Sequence, residues 1–292
     1  MKALLLGPNG QLGQDVLRAN QARGAPLTIE PFGRDRADLS NLDEALARLG
    51  ETQFDVLINC SSYHKTDEVE SNAQLGFTIN AHLVRRLAEL CAQRNARFVH
   101  VSTDYVFGGQ DKRTPLTEED AKAPVNIYGA SKAMGEDLAR AAHDDVLILR
   151  VASLFGVAGA SGKGGNFVET MLKFGRERGH LRVVDDQIMS PTATEDIAAA
   201  MLDLVLERAP AGRYHVVNDD GGVSWCAFAR EIIAQAGVNA TVEAIASAEF
   251  PTPAKRPPYS ALDNAKLKTI TSAMRPWPAA LNAYLRAKGH IR

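Results

Sequence analysis

The sequence predicts an α/β fold, a doubly wound parallel sheet followed by a smaller C-terminal lobe. Three observations carry the prediction. Short apolar strand candidates alternate with helical patterns up to about residue 150. The first strand runs straight into a glycine turn, Gly7-Pro8-Asn9-Gly10-Gln11-Leu12-Gly13. Beyond about residue 155 the alternation loosens into stretches rich in Gly, Ala, Ser and Pro. The expected division is 1–155 and 156–292, with some segments of the second part returning to the main sheet.

Taken in order, Lys2–Leu6 reads as a strand and Gln11–Gln21 as a helix. Leu27–Phe32 and Leu42–Leu49 give the second strand and helix. Phe54–Cys60 (FDVLINC) is a third strand. Leu75–Gln93 is a helix whose apolar residues are Leu75, Ile79, Leu83, Leu87, Leu90 and Cys91. Arg97–Ser102 (RFVHVS) is a strand, Ile127–Ala142 a helix and Val146–Val151 (VLILRV) a strand. Continuously apolar strands separated by helices imply a sheet buried on both faces and joined by right-handed crossovers. In the second part, helices are expected at Phe167–Arg178, Glu195–Arg208, Trp225–Ala236, Leu262–Leu267 and Pro276–Leu285. Strands are expected there at Arg182–Val184, Tyr214–Val217 and Thr241–Ile245. Gly156–Gly165 reads as a loop, and the four prolines of Pro251–Pro258 require an extended or turning chain.

Composition excludes several classes. A chain of 292 residues, 45% hydrophobic and 23% charged, is globular and long enough to bury a core. The formal net charge of −2 lacks the basic excess of a nucleic-acid binder. No run reaches the roughly 18 apolar residues of a membrane span, and the apolar start of MKALLLGPNGQLG breaks too soon for a secretory leader. Cys60, Cys91 and Cys226 lie far apart, which argues against a disulfide or zinc framework and for a cytoplasmic protein. His64, His82, His100, His143, His180, His215 and His290 show no metal-ligand spacing, so no metal ligand is assigned. His100 and His215 alternate with apolar residues and read as satisfied structural groups; His64 reads as solvated or capping. Asp185-Asp186 reads as a pair of turn carboxylates. Gly-x-Ser-x-Gly is absent, and Gly159–Gly165 lacks the P-loop pattern because Gly164 follows Lys163.

The glycine turn suits a dinucleotide. Its first Gly permits a tight turn, its second a close approach to a pyrophosphate, and its third close packing of helix on strand. That makes the fold Rossmann-type. Cofactor preference is sought at the end of the second strand, where Glu30 suits a ribose hydroxyl and Arg34 a 2′-phosphate. The expectation is NADPH, with NADH as the alternative. Asp38 and Leu39 stand in the next loop to meet the adenine.

Tyr128 and Lys132 lie one helical turn apart on one face. An ammonium beside a phenol is expected to lower the phenol's pKa from about 10 and suit it to proton exchange with a carbonyl or alcohol oxygen. Thr103 follows the RFVHVS strand, at the strand end where ligands bind in open α/β sheets. A hydroxyl there can hydrogen-bond a carbonyl, or simply cap a local turn. Ser61-Ser62-Tyr63 follows FDVLINC at the equivalent edge.

These segments resemble the extended short-chain dehydrogenase/reductase family acting on nucleotide sugars, and within it the dTDP-4-dehydrorhamnose reductases. The matching stretches are GPNGQLG, DVLINCSSYHKTDEVES, STDYVFGG, YGASKAMGE, NFVETMLK, VVDDQIMSPTATEDIA and RPPYSALDNAKL, which span nearly the whole chain. The resemblance implies an NAD(P)-binding domain at 1–155 and a mainly substrate-binding lobe at 156–292. It implies Tyr128 as proton donor to a sugar C4 oxygen, Lys132 as the group that tunes it and holds the nicotinamide ribose, and Thr103 as the group that polarises the C4 carbonyl. It implies Gly7, Gly10, Gln11, Leu12 and Gly13 on the pyrophosphate, and Asp38, Leu39, Ser61, Ser62 and Tyr63 along adenosine and ribose. Asp104 and Val106 would approach the sugar, and Asn166, Gln187 and Arg256 the nucleoside diphosphate of the substrate. An Arg fork pairs well with phosphate oxygens.

The sequence departs from the family pattern at Arg150-Val151-Ala152-Ser153-Leu154-Phe155-Gly156, where Ser153 stands in place of a Trp, and in a longer loop at Val157–Gly165. Both departures touch the sugar side and leave the redox residues in place. The partner implied is a nucleotide sugar, with no nucleic acid and no membrane; the surface pattern identifies no interface, and the oligomeric state is left open, a homodimer included. Two rivals stand: another nucleotide-sugar 4-ketoreductase or epimerase, and a non-catalytic regulator resembling the regulatory subunit of methionine adenosyltransferase.

Overall fold

The computed structural model describes residues 1–159, 165–272 and 274–292. Strands β1 (Lys2–Leu6), β2 (Thr28–Phe32), β3 (Val56–Asn59), β4 (Arg97–Thr103) and β5 (Val146–Val151) come from the first part of the chain. The second part adds β6 (Leu154–Phe155), β7 (His180–Val184), β8 (Ile188–Met189), β9 (Thr192–Ala193), β10 (Gly212–His215), β11 (Val223–Ser224) and β12 (Thr241–Ile245). The central sheet has the order β10-β5-β4-β3-β1-β2, and every pair in it is parallel. The chain leaves β1 toward β2 on one side and returns to β3 on the other. The strand order therefore reverses beside β1, where open α/β sheets bind their ligands.

Helices α1 (Gln11–Ala22), α2 (Leu42–Gly50), α3 (Thr66–Ser71), α4 (Ala73–Phe77), α5 (Leu83–Arg94) and α6 (Ile127–Ala142) belong to the first part. Then follow α7 (Phe167–Arg178), α8 (Thr194–Leu206), α9 (Trp225–Gln235), α10 (Ala265–Lys268) and α11 (Trp277–Ala287). Alternation along β1 sends Ala3 and Leu5 to one face and Leu4 and Leu6 to the other. The first face packs against Leu12 and Val16 of α1 and Ile197, Met201 and Leu204 of α8. The second packs against Leu49 of α2 and Leu83, Leu87 and Cys91 of α5. A separate core of Phe155, Val168, Leu172, Phe228, Trp277 and Leu281 holds the C-terminal elements together.

Three expectations change. The single helix at Leu75–Gln93 is broken into α4, a π-helical turn at Thr78–His82 and α5, and α3 precedes it. The wider turn carries an extra residue and rotates the apolar stripe: Leu75 is exposed, while Asn80 and Ala81 turn inward. The helix expected at Leu262–Leu267 shrinks to α10, because Leu262 pairs with Leu116 in an extended bridge. The strand expected at Tyr214–Val217 starts earlier and ends at His215, where its partner β5 ends its pairing at Arg150. Residues 160–164 of the glycine-rich loop, Lys163 and Gly164 among them, lie outside the described residues.

Candidate active site

The glycine turn closes over the end of β3. Gly7 has φ of +75°, and a Cβ there would lie 3.0 Å from the carbonyl carbon of Cys60 and the nitrogen of Ser61. A Cβ on Gly13 would lie 2.2 Å from the Gly7 carbonyl oxygen, so helix and strand meet as closely as the motif requires. Gly10 is the extended N-cap of α1, with no side-chain cap. The first-turn amides of a twelve-residue helix are thus offered to an anion, aided by the helix dipole. Gln11 Oε1 is buried with no protein partner. Leu12 is a core residue and serves this edge through its backbone.

At the end of β2, Glu30 is engaged by Arg36, whose guanidinium also lies 4.6 Å over the Phe32 ring. Arg34 stands exposed in the same turn. Asp38 is held below its ordinary pKa by the amide and hydroxyl of Ser40 and, less, by Arg34. Leu39 packs against the core. Beyond β3, Ser61 donates to Asn59 from both its backbone nitrogen and its hydroxyl, and Ser62 follows with its carbonyl 3.4 Å from His64 Nδ1. The Tyr63 nitrogen donates to Asn80 Oδ1 at 2.9 Å, and Asn80 Nδ2 donates to the Tyr63 carbonyl and to Ser131 Oγ, each at 3.1 Å. The π-turn thus braces the cofactor edge against α6. These features, a close glycine cradle, uncapped amides and a hydroxyl-lined edge, fit a dinucleotide.

The residues expected to do acid–base work come from the end of β4 and from α6. Thr103 ends the strand and caps the 3-10 turn Asp104–Val106, accepting from the Tyr105 nitrogen at 3.2 Å. Its hydroxyl also donates to Asp104 Oδ1 at 3.0 Å, and the Tyr128 phenol lies close enough to feel it. Asn126 caps α6 by accepting from Gly129 N at 2.7 Å. A Cβ on Gly129 would lie 2.1 Å from the Tyr105 carbonyl oxygen, so a glycine is what lets the helix press Tyr128 against this turn. Tyr105 and Tyr128 meet edge to face at 5.8 Å.

The expected depression of Tyr128 by Lys132 is overturned. Burial pushes the phenol above its ordinary value, opposed by the nearby Thr103 hydroxyl. The reason is geometric: Lys132 turns back to β4, donating to the Val101 carbonyl at 2.7 Å and lying 3.2 Å from His100 Nε2. Tyr128 keeps its proton, which is the state a proton donor needs. Burial draws Lys132 down to about 8, opposed by Glu136 and Cys60.

Asp104 is fully enclosed, and burial pushes its carboxyl up to about 6 despite hydrogen bonds from Ser260 and Thr103. The Ser260 bond, 2.6 Å long, ties the turn to the proline-rich segment. Val106 is wholly buried in a small core with Phe107, Tyr259 and Leu262, so its side chain lines no open surface. Asn126 Nδ2 donates to the Lys255 carbonyl at 2.8 Å and brings the neighbouring Arg256 toward α6. Arg256 Nη2 donates to Asp67 at 2.7 Å, while its Nη1 is buried with no protein partner. Gln187 donates to Ser247 at 2.8 Å, and the adjacent Ile188 bridges to Tyr259. Asn166 caps α7 and donates to the Gly156 carbonyl and the Tyr284 hydroxyl, a local role inside the lobe. Asp185 and Asp186 accept from Ser224 and Ser247, as turn carboxylates do. Sequence reading gives no role to Asn59, Asn80, Asn126 and Asp67: Asn126 holds a helix-cap position, but Asn59 ends β3, Asp67 lies in α3 and Asn80 in the π-turn, and their partners come from distant parts of the chain.

The chain matches the family described as RmlD substrate binding domain over residues 1–289. It is 36% identical to a dTDP-4-dehydrorhamnose reductase of Burkholderia thailandensis over 92% of both chains. It is 33% identical to a spore coat polysaccharide biosynthesis protein of Bacillus subtilis over 98% of both. Among solved structures, a dTDP-4-dehydrorhamnose reductase of Clostridium acetobutylicum superposes with a TM-score of 0.90 at 35% identity, covering 98% of this chain and 99% of the other. One of Bacillus anthracis, in complex with NADP, superposes at 0.88 and 33% identity with the same coverage. A UDP-glucose 4-epimerase of Thermus thermophilus, at 17% identity and a TM-score of 0.80, shares the fold.

Proposed function

The chain belongs to the RmlD substrate binding domain family, and from that membership we propose that it reduces the C4 ketone of dTDP-4-dehydro-β-L-rhamnose to dTDP-β-L-rhamnose. NADPH, bound along the glycine turn, supplies the hydride to the sugar C4. Tyr128 gives its hydroxyl proton to the C4 oxygen, and Thr103 orients that oxygen by a hydrogen bond. Lys132, one helical turn beyond Tyr128, holds the nicotinamide ribose. Arg34 faces the 2′-phosphate, and the free Nη1 of Arg256 takes an oxygen of the substrate's diphosphate. Residues 1–155 hold the cofactor. Residues 156–292 mainly hold the sugar nucleotide, with Gln187 and Asn166 on that side. No helix among the described residues is long and apolar enough to cross a membrane, and the proposal places the enzyme in the cytoplasm, where nucleotide sugars are made.

The observation that supports the reading most is the gathering of Thr103, Tyr128 and a buried Lys132 around the carboxyl end of β4. The test mixes purified protein, NADPH and the keto sugar and follows the reduced nicotinamide absorbance. One NADPH consumed per sugar is the expected stoichiometry; an epimerase leaves the cofactor unconsumed over a turnover. Tyr128→Phe should lower kcat by about 10²–10⁴, and undiminished turnover would remove Tyr128 as the donor.

A further inference from the structure

A hydrogen-bond chain of fixed polarity runs from the loop beyond β3 to Lys132. The Ser61 backbone N–H can only donate, so the Asn59 atom 3.0 Å from it is the carboxamide oxygen. The Ser61 hydroxyl donates to the same oxygen at 2.5 Å. The Asn59 NH₂ is thereby turned to Nδ1 of His100, 3.2 Å away. A donor facing Nδ1 requires a lone pair on that nitrogen. His100 is fully buried, and burial above all keeps it neutral, well below its ordinary pKa. A neutral imidazole with its lone pair on Nδ1 carries its proton on Nε2. That N–H faces Lys132 Nζ at 3.2 Å. It finds an acceptor only when Nζ has a lone pair, that is, when Lys132 is an amine. One amine hydrogen goes to the Val101 carbonyl at 2.7 Å.

We propose that His100, oriented by Asn59, is a positioning residue that favours the amine form of Lys132 and so lowers the proton affinity of that lysine. Its bearing on turnover rests on the reductase reading above. When Lys132 releases a proton to solvent, the amine left behind accepts from His100 Nε2–H; no electrons move in this step. The other titratable groups around Lys132 act less specifically. Glu136, on the same helix, favours the ammonium, yet its oxygens accept from Arg150 and Ser102, with Lys122 and Arg213 within 4 Å. Cys60, beyond β3, is pushed up to about 12 by burial and stays a thiol. Phe98, stacked on His100 at 5.9 Å, carries no charge.

Two variants of the full-length protein test this. His100→Gln offers Lys132 a carbonyl oxygen, and Asn59→Asp takes a proton from Nδ1 and frees the lone pair of Nε2. Each should stabilise the ammonium and raise the Lys132 titration about tenfold in proton affinity, about one pH unit. Nitrogen NMR of the lysine reads this without substrate, and the basic limb of the kcat profile should move with it. In the wild-type protein above that titration, NMR of His100 should find the proton on Nε2. A proton on Nδ1 there, or a lysine titration unmoved in both variants, overturns the proposal. A merely structural His100 would lower Tm and kcat together and leave the titration in place. The wild-type tautomer needs no variant to fold, and failure of the reductase reading would show instead as NADPH left unconsumed while the NMR result stands.

Discussion

Lys132 and Arg150 are both 1% exposed, yet the protein holds them in opposite ways. Arg150, on β5, meets Glu136 through two hydrogen bonds of 2.9 and 2.7 Å, and Ser102 adds a third bond to the same carboxylate at 2.6 Å. His215 lies 3.3 Å from its Nη1, and the guanidinium sits 4.9 Å over the Phe107 ring. Lys132, one helical turn before Glu136, contacts a backbone carbonyl and a neutral imidazole. A buried cation with a bidentate carboxylate is an anchor whose charge does not change. A buried cation on neutral partners remains free to titrate, and this one is pushed down to about 8. The two sites separate a fixed charge from one that can titrate.

The largest expected effect breaks the anchor. Arg150→Met leaves Glu136 buried without its main partner, and should cost about 3–5 kcal/mol in urea unfolding. Turnover per folded molecule should fall far less than stability does. The titratable site should behave in reverse. Lys132→Met should lower kcat about a hundredfold, which is about 2.7 kcal/mol of barrier, while leaving the unfolding midpoint unchanged or raised. Its pH dependence gives a sharper form of the same contrast. Folded Lys132 titrates at about 8 against an ordinary 10.5. Between those values the unfolded chain binds the extra proton, so wild-type stability should rise with pH across the window. Lys132→Met should lack that rise in denaturation series run at stepped pH. The smallest effect trims the anchor: Ser102→Ala removes one bond to a buried carboxylate and should cost about 1.5–3 kcal/mol, with kcat held.

Much of this was legible in the residues. β1, β5, α6, α7 and β12 fall where their residue patterns placed them; β1, β5, α6 and α7 each bury an apolar face, while β12 is mostly exposed and is held by pairing with β7. Gly7 and Gly13 could be read because their demand is local: one φ and one close approach. Two things were not legible. Spacing placed Tyr128 and Lys132 on one face, but the direction of the Tyr128 shift depends on how deeply the phenol is enclosed and where the lysine turns. That is decided by β4 and by Gly129 meeting Tyr105. His100 reads as an ordinary buried strand residue, since its partners Asn59 and Lys132 come from two other elements. The π-turn was hidden for a further reason: one extra residue leaves the local periodicity nearly intact while rotating everything beyond it.

That single additional residue carries a consequence for how this region tolerates change. Asn80 sits within it and grips both Tyr63 and Ser131, and Ser131 in turn donates to the Tyr128 carbonyl at 2.8 Å. Deleting one position from Thr78–His82 would restore a regular coil and swing Asn80 by about 100° around the axis. A shortened chain could gain helical regularity there and still disconnect two sides of the cleft, so length is under tighter constraint at this bend than residue identity at most of its exposed neighbours.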